Sequence, residues 1–209
     1  MNILAIGAHF DDIELGCGGT VAKHVSKGDK VFAFVATRSG FVSHNQKVVR
    51  TNAVAYREGR KAIGILGAEL IRGNFDTLKV EFEEELNTAI LKIVEEKRIE
   101  RVYTHWTGDV HHDHVAVARS SLHSCRHVPD LFMYRSNWYH GSAEFRGNFY
   151  VDVTRYFDLK IAATKAHISE LNRTHSKWLE FFANEAANAG QRIGVRYAEV
   201  FELVKCLDR

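Results

Sequence analysis

A histidine and two adjacent carboxylates follow the first apolar run of the chain, and these residue types could bind and use a divalent metal. His9, Asp11 and Asp12 come after Asn2 to Gly7, whose apolar residues predict a buried parallel strand. Neighbouring ionised carboxylates repel one another beside a sheet unless a cation lies near them. His9 and Asp12 are ligand types suited to zinc, and Asp11 would face a metal-bound water. The alternative is an Asp-rich helix N-cap with an incidental histidine.

A second cluster of histidines and aspartates lies about a hundred residues later. The ten residues from His105 to His114 include four histidines and two aspartates. If Asp113 is the N-cap of the following helix, His111 and His114 lie about one turn apart and can converge on one point. His112 would then point elsewhere, and we do not expect it to be a ligand. The alternative is a solvated His-rich loop with nonspecific metal affinity.

The order of the elements predicts that the two clusters meet. Apolar runs interpreted as strands cover residues 2–7, 31–36, 68–71, 101–104 and 131–134. Strands that alternate with helices indicate an α/β, Rossmann-like fold with a mainly parallel sheet of order 3-2-1-4-5 and helices on both faces. Ligands bind in such folds between the carboxyl ends of strands 1 and 4, which the two clusters follow. His9, Asp12 and His114 would form a three-ligand site with an open position for water, as in catalytic zinc sites.

The remaining elements are predicted from the same periodicities. Helical spacing of apolar residues is found within 56–66, 82–93, 115–125 and 157–187. Two further strands are predicted at 149–153 and 197–204. The polar stretch 37–48 is interpreted as a long loop, and loops of this length are more often functional than accidental.

Composition places the chain among ordinary globular proteins and excludes several function classes. With 209 residues, 45% hydrophobic and 26% charged, we expect one domain over 1–209. The net charge of +2 does not indicate a nucleic-acid-binding protein. No apolar run reaches the ~18 residues of a membrane span, and no signal peptide precedes the first strand. Three widely spaced cysteines in no paired motif favour free thiols in a reducing cytoplasm.

The segment from Glu14 to Gly19 permits another interpretation. It resembles the acidic-x-Gly-x-Gly loop of class I methyltransferases, where glycines let the backbone approach a nucleoside cofactor. In those enzymes the loop ends the first strand directly, whereas here the strand has already ended near Ala8. We therefore expect the glycines to let a metal loop turn tightly and pack against a first helix over Thr20 to Ser26.

Two motifs in combination resemble the LmbE-like (PIG-L) family of zinc-dependent N-deacetylases. They are Ala8-His9-x-Asp11-Asp12 with Gly18-Gly19, and His111-x-Asp113-His114. Segments between Glu58 and Phe201 extend the likeness over nearly the whole chain. The resemblance implies hydrolysis of an N-acyl group, typically acetyl on an amino sugar, with one Zn²⁺ or another divalent ion per chain. It is compatible with a homo-oligomer.

The resemblance also implies roles for individual residues. The residues that match the zinc ligands are His9, Asp12 and His114. Asp11 matches the general base. His111 matches the residue that stabilises the tetrahedral intermediate or serves as acid, in a protonated state, and Asp113 matches its carboxylate neighbour.

Three departures from the family pattern concern the substrate more than the metal. Phe10 stands where the family usually has proline, so the loop is expected to be less rigid. Ala55 stands where many members have an arginine, so a common substrate contact is missing or is supplied by Arg50 or Arg57. Glu170 replaces the usual glutamine.

Other functions stay open at this point. The chain could be a metal-dependent hydrolase of another bond, such as a phosphoester or a cyclic amide. It could also be a metal- or nucleotide-binding domain without catalysis. The substrate-binding residues are not identified, although Trp106, Trp138 and Tyr139 are candidates for stacking on a sugar ring.

Overall fold

A computed structural model describes residues 1–141 and 143–208 and shows an α/β fold. The strands are β1 (Asn2–Gly7), β2 (Lys30–Thr37), β3 (Phe41–Val42), β4 (Val48–Arg50), β5 (Glu69–Phe75), β6 (Arg101–His105), β7 (Asp130–Tyr134), β8 (Phe149–Asp152) and β9 (Ala198–Lys205). The helices are α1 (Asp12–Ser26), α2 (Asn52–Leu66), α3 (Glu84–Glu96), α4 (His112–Ser124), α5 (Phe157–Lys165), α6 (Ile168–Arg173) and α7 (Lys177–Arg192). A 3₁₀ turn, Thr154–Tyr156, precedes α5.

The central sheet is mostly parallel, as predicted. Within the described ranges it has seven strands in the order β5-β2-β1-β6-β7-β9-β8. The first five of these pair in parallel. At one edge β9 pairs antiparallel with β7, and β8 pairs antiparallel with β9. The predicted α/β fold class is therefore confirmed. β1 and β6 are neighbours, with Ile3 opposite Arg101 and Ala5 opposite Tyr103, so their carboxyl ends open at the same edge of the sheet.

Apolar side chains of β1 pack on both faces of the sheet. Ile3 and Ala5 belong to a core layer with side chains from α1, α2 and α5. Leu4 and Ile6 belong to the opposite layer, with side chains from α3 and α4. Because successive side chains of a strand alternate between faces, a strand covered on both sides must be apolar at every position. This burial explains the uninterrupted apolar sequence of β1.

The first helix begins earlier than predicted, and its glycines lie inside it. α1 starts at Asp12 and contains one non-helical residue, Cys17, with φ −143°. A Cβ atom on Gly16 would overlap the Tyr134 ring, and one on Gly19 would crowd Val153. The expected tight turn is thus wrong, because these two glycines permit close packing of a kinked helix against the sheet.

A buried ion pair joins the two halves of α1 to the rest of the chain. Lys160 Nζ donates to the carbonyl of Leu15 at 2.7 Å and lies 2.6 Å from Glu199 Oε1. Glu199 in turn accepts the backbone N–H groups of Gly19 and Thr20, at 2.9 and 2.7 Å. Backbone groups that the kink leaves without helical partners are satisfied in this way.

The segment predicted as a long loop after β2 contains a short hairpin. β3 and β4 pair in antiparallel fashion, with Phe41 opposite Arg50. The predicted helical region near the C-terminal end is divided into α5, α6 and α7. In the part of the chain that the structure describes, no helix combines the length and apolarity needed to cross a membrane.

Replacing the buried lysine tests the ion pair. We expect Lys160→Met to lower the free energy of unfolding by about 3–5 kcal/mol, because Glu199 is left buried without its counter-charge. Chemical denaturation followed by circular dichroism measures the change. Lys92→Met is the matched control, since Lys92 pairs with Glu96 on the exposed face of α3 at 3.8 Å and should contribute little. Equal, small losses for the two variants would contradict the role of Lys160.

Candidate metal centre

Three predicted ligands meet at the carboxyl ends of β1 and β6. His9 follows β1, Asp12 opens α1, and His114 lies in the first turn of α4. His9 Nδ1 lies 3.2 Å from His114 Nε2. The Asp12 carboxylate lies 3.4 Å from His9 Nδ1 and 3.3 Å from His114 Nε2. All three side chains are buried.

The spacing of the two imidazole nitrogens fits a single tetrahedral ion. Zinc bonds to nitrogen and oxygen are ~2.0–2.1 Å long, which places two ligand atoms of a tetrahedron about 3.3–3.4 Å apart. His9 Nδ1 and His114 Nε2 are 3.2 Å apart. Asp12 approaches them with different oxygens, Oδ2 at 3.4 Å from His9 Nδ1 and Oδ1 at 3.3 Å from His114 Nε2. Two imidazole nitrogens and one carboxylate are also donors that zinc accepts. His9, Asp12 and His114 could therefore hold a divalent metal.

Each candidate histidine ligand contacts a carboxylate through its other ring nitrogen. His9 Nε2 lies 2.8 Å from Asp113 Oδ2, and His114 Nδ1 lies 3.1 Å from Asp109 Oδ2. Asn137 Nδ2 donates to both oxygens of Asp109, at 2.5 and 2.7 Å. Such contacts fix the orientation of metal-binding imidazoles. Asp109 and Asn137 were not predicted, although Asp109 stands only five residues before His114 in the same His-rich loop.

Asp113 is placed differently from the prediction. The N-cap of α4 is His111, so the expectation that Asp113 is the N-cap is wrong. Its carboxylate accepts the backbone N–H groups of Leu78 and Val80, at 2.8 and 3.0 Å, in addition to contacting His9. The expected link to His111 is not formed as a hydrogen bond, since His111 Nδ1 is buried without a partner among the described atoms. Asp113 instead ties the β5–α3 connection to His9.

Asp11 lies beside the three candidate ligands and faces a different group. Its φ of 131° is rare for a residue with a side chain. One carboxylate oxygen lies 3.5 Å from the Arg50 guanidinium. Burial raises the pKa of Asp11 to about 7, against the opposing positive charge of Arg50. A carboxylate with this pKa can both accept and return a proton near neutral pH.

Of the two arginines considered for the missing contact, Arg50 lies at the site. It is buried, and its Nε donates to the Ser39 carbonyl at 2.9 Å while its terminal nitrogens lie 3.4 Å from the Phe10 carbonyl. Arg57 is exposed. The Phe10 N–H also donates to Ser39 Oγ at 2.9 Å. The backbone at Phe10 is therefore held from both sides without the usual proline.

His111 and His112 have contrasting environments. The His111 ring is stacked on His114, with centroids 4.5 Å apart, and contacts His9 edge-on at 4.8 Å. Burial and the positive charges of His9 and His114 lower the pKa of His111 to about 3. Without a bound metal, these effects favour the neutral form of His111. The side chain of His112 is 58% exposed and contacts Asp113 Oδ1 at 3.0 Å.

His105 lies beneath the candidate ligands. It is fully buried, and its ring is stacked on His114 at 4.1 Å. Its Nε2 lies 3.1 Å from Asp12 and also accepts the N–H of Ala8 at 2.9 Å. Ser136 Oγ donates to Asp12 Oδ1 at 2.9 Å. His105 Nε2 already accepts a backbone N–H, so its lone pair is not free to bind a metal. His105 is therefore a poorer candidate for a metal ligand and supports the cluster through its contacts with His114 and Asp12.

A cavity of about 360 Å³ opens over the candidate ligands. Its walls include Phe41, Arg50, Thr77, Leu78, Val110, Trp138, Tyr139, Glu170, Arg173 and Trp178. Trp106 is buried and lines an adjoining space of about 910 Å³, which shares Tyr139 with the cavity but is lined by none of the three candidate ligands. Of the aromatic residues considered for sugar stacking, Trp138 and Tyr139 thus lie at the metal centre.

Two sequence comparisons find proteins similar to this chain. The sequence profile of the GlcNAc-PI de-N-acetylase (PIG-L) family matches residues 4–125. A protein of Escherichia coli K12, the uncharacterized deacetylase YaiS, is 34% identical over 177 residues, which cover 80% of this chain and 90% of that protein.

Solved structures share the fold at lower sequence identity. N,N'-diacetylchitobiose deacetylase from Pyrococcus horikoshii has a TM-score of 0.83 at 21% identity, over 97% of this chain and 83% of that one. The conserved protein TT1542 from Thermus thermophilus has a TM-score of 0.82 at 24% identity, over 99% and 96%. The 4-carboxy-2-hydroxymuconate hydratase GalB from Pseudomonas putida KT2440 has a TM-score of 0.81 at 17% identity, over 100% and 98%. Since a deacetylase and a hydratase both share the fold, the fold by itself does not decide the reaction.

Proposed function

Because the chain belongs to the GlcNAc-PI de-N-acetylase (PIG-L) family, we propose that it is a zinc-dependent hydrolase that removes an N-acetyl group from an amino-sugar-type substrate. The observation that carries the proposal is the convergence of His9, Asp12 and His114 within 3.2 to 3.4 Å of one another, with Asp11 beside them. A site with three protein ligands leaves a fourth position open, which is the arrangement of catalytic zinc sites.

His9, Asp12 and His114 would hold the metal, oriented by Asp113 and Asp109. Bound zinc supplies a Lewis acid and lowers the pKa of its water from ~15.7 towards ~7. The protein's contribution is to fix the donor atoms before the metal arrives, through the hydrogen bonds on the far side of each imidazole ring.

Asp11 is the proposed general base, and its place beside the three candidate ligands supports this role. Amide hydrolysis requires a proton to leave the attacking water and another to reach the departing amine. A carboxylate with a pKa of about 7 can perform both transfers in turn. The Arg50 guanidinium lies 3.5 Å from the Asp11 carboxylate, and its positive charge favours the ionised form of Asp11 against the effect of burial.

His111 would donate a hydrogen bond to the oxygen on which negative charge develops. Its neutral form is favoured without a bound metal, and a neutral imidazole still carries one N–H donor. Its stacking against His114 and its edge contact with His9 keep the ring beside the candidate ligands. Stabilisation of the oxyanion therefore does not depend on the predicted link to Asp113.

The structure gives little support to the rival interpretations. Glu14, which a methyltransferase would present to a nucleoside, is buried and bonded to His167 at 3.0 Å. A phosphoesterase with two metals needs additional carboxylates. The described carboxylates that line the cavity besides Asp12 are Asp11 and Glu170, and both lie near Arg50. Asp109 and Asp113 are bonded to the far sides of the histidines.

Acetate release tests the proposed function. The purified protein should release acetate from N-acetylated amino sugars, lose that activity after dialysis against a chelator, and regain it with zinc. Activity that resists complete metal removal would contradict the metal-dependent part. A metal-loaded protein that releases acetate from none of the amino sugars would contradict the deacetylase part.

Metal content separates the candidate ligands from the candidate base. His9→Ala, Asp12→Ala and His114→Ala should each lose bound zinc, because three protein ligands cannot drop to two without a large loss of affinity. Asp11→Asn should keep zinc but lose ~10²–10⁴ in turnover, since an amide cannot accept the proton of water. Elemental analysis of the purified variants and a rate assay decide between these roles. A metal-free Asp11→Asn beside a zinc-loaded Asp12→Asn would exchange the two assignments.

The two adjacent histidines provide a matched pair. His111→Ala should lower turnover ~10²–10³-fold, the usual cost of removing an oxyanion donor. His112→Ala should retain most activity, because that side chain is largely exposed. Steady-state rates of the two variants under zinc saturation test the difference. A larger loss in His112→Ala than in His111→Ala would show that the donor has been misassigned.

A further inference from the structure

The cavity over the metal centre has an aromatic side. Trp138 and Trp178 lie edge to face, with ring centroids 6.4 Å apart, and both are half-buried. We call these two residues the tryptophan wall. Arg173 extends it, since its guanidinium lies 5.5 Å from the Trp178 ring and 5.8 Å from that of Phe41. The wall and its extension therefore combine side chains from β3, α6, α7 and the segment after β7.

The arginines that line this cavity are already paired. Arg50 is 4% exposed and directs its nitrogens to two backbone carbonyls and to Asp11. Arg173 Nε donates to Glu170 Oε2 at 2.6 Å. Apart from the histidines of the metal centre, the described cavity residues offer no other basic side chain. Arg173 is 40% exposed, but the described lining carries three carboxylates, Asp11, Asp12 and Glu170, against two guanidinium groups. These side chains therefore offer an incoming phosphate group no net positive charge, which phosphate recognition normally uses.

Two buried polar atoms in residues of the cavity wall lack hydrogen-bond partners among the described atoms. Thr77 Oγ1 and Glu170 Oε1 are buried in residues of the cavity wall, and neither has such a partner within residues 1–141 and 143–208. Glu170 Oε1 lies 3.5 Å from Arg50 Nε, which donates to a backbone carbonyl instead. Unpaired buried polar atoms are uncommon in folded proteins and call for a cause such as a missing ligand. Sugar hydroxyl groups can both donate and accept, so they can pair with a hydroxyl as well as with a carboxylate.

Resting on the deacetylase function above, we propose that the substrate is an N-acetylated amino sugar without a phosphate group, and that its ring or its neutral aglycone lies against the tryptophan wall. The cavity of about 360 Å³ is at the small end of the ~300–1,000 Å³ typical of ligand sites. Such a site suits one sugar ring with a small substituent. Trp138 and Trp178 are then specificity-determining residues, because they supply flat apolar area at low cost in conformational entropy.

Binding and turnover of three matched probes test this substrate class. The probes are methyl and phenyl N-acetyl-β-glucosaminide and N-acetylglucosamine 1-phosphate. Calorimetric titration of zinc-loaded Asp11→Asn should give tighter binding of the phenyl glycoside than of the methyl glycoside, and weakest binding of the phosphate. In the wild-type enzyme kcat/KM should follow the same order. An equal or higher kcat/KM for the phosphate would overturn the proposal.

Substitution of the wall tests the contact itself. Trp178→Ala should raise KM for the phenyl glycoside about ten- to thirtyfold with little change in kcat, the range expected when a tryptophan that contacts a ligand is removed. Trp178→Phe keeps an aromatic face and should recover most of the affinity, which separates contact from misfolding. Phe82→Ala is the control, since Phe82 is 51% exposed and packs on His123, which does not line the cavity. An unchanged KM for the phenyl glycoside in Trp178→Ala would contradict the proposed contact between the substrate and the tryptophan wall.

The two readouts keep this proposal distinct from the proposed function. If no probe releases acetate but the phenyl glycoside binds Asp11→Asn and loses affinity with Trp178→Ala in that background, the reaction is wrong and the ligand class holds. If acetate is released with no preference among the probes, the reaction holds and the ligand class is wrong.

Discussion

The burial of several charged groups at one edge of the sheet is the constraint on which the rest of this structure depends. Asp11, Asp12 and three histidines lie where β1 and β6 end, in a place largely removed from water. Isolated charges are too costly to bury, so each must have a partner. Asp12 faces His9, His105 and His114, and Asp11 faces Arg50. A bound divalent cation would further compensate the negative charges of Asp11 and Asp12.

This constraint extends into elements remote from the cluster. The β5–α3 connection is held by the carboxylate that orients His9, through the backbone of Leu78 and Val80. Arg50, the last residue of the short β3–β4 hairpin, fixes the hairpin at the site through hydrogen bonds to the carbonyls of Ser39 and Phe10. Gly16 lets the kinked helix α1 pack directly on Tyr134 of β7. Pre-organisation of this kind is needed for a metal site that must hold its ligands in place.

Solved structures that share this fold differ in the reactions of their proteins. Proteins with TM-scores of 0.81 to 0.83 to this chain include both a deacetylase and a hydratase. The sheet supplies a crevice between parallel strands, and chemistry depends on the side chains in the following loops. The 34% identity to the deacetylase YaiS and the profile match over residues 4–125 assign the family. Within the family, the side chains that line the cavity would then determine which substrate binds.

The sequence by itself determined the fold class and the three residues that converge, because both depend on local patterns. Apolar runs identify buried parallel strands, and the order of elements brings the residues after strands 1 and 4 together. It did not determine the partners of Asp113, the placement of Arg50 or the role of the glycines in α1. Those depend on contacts between residues far apart in the chain, such as Asp113 with Leu78 and Gly16 with Tyr134. Only the tertiary structure decides them, since side-chain periodicity records which face is buried and not what lies against it.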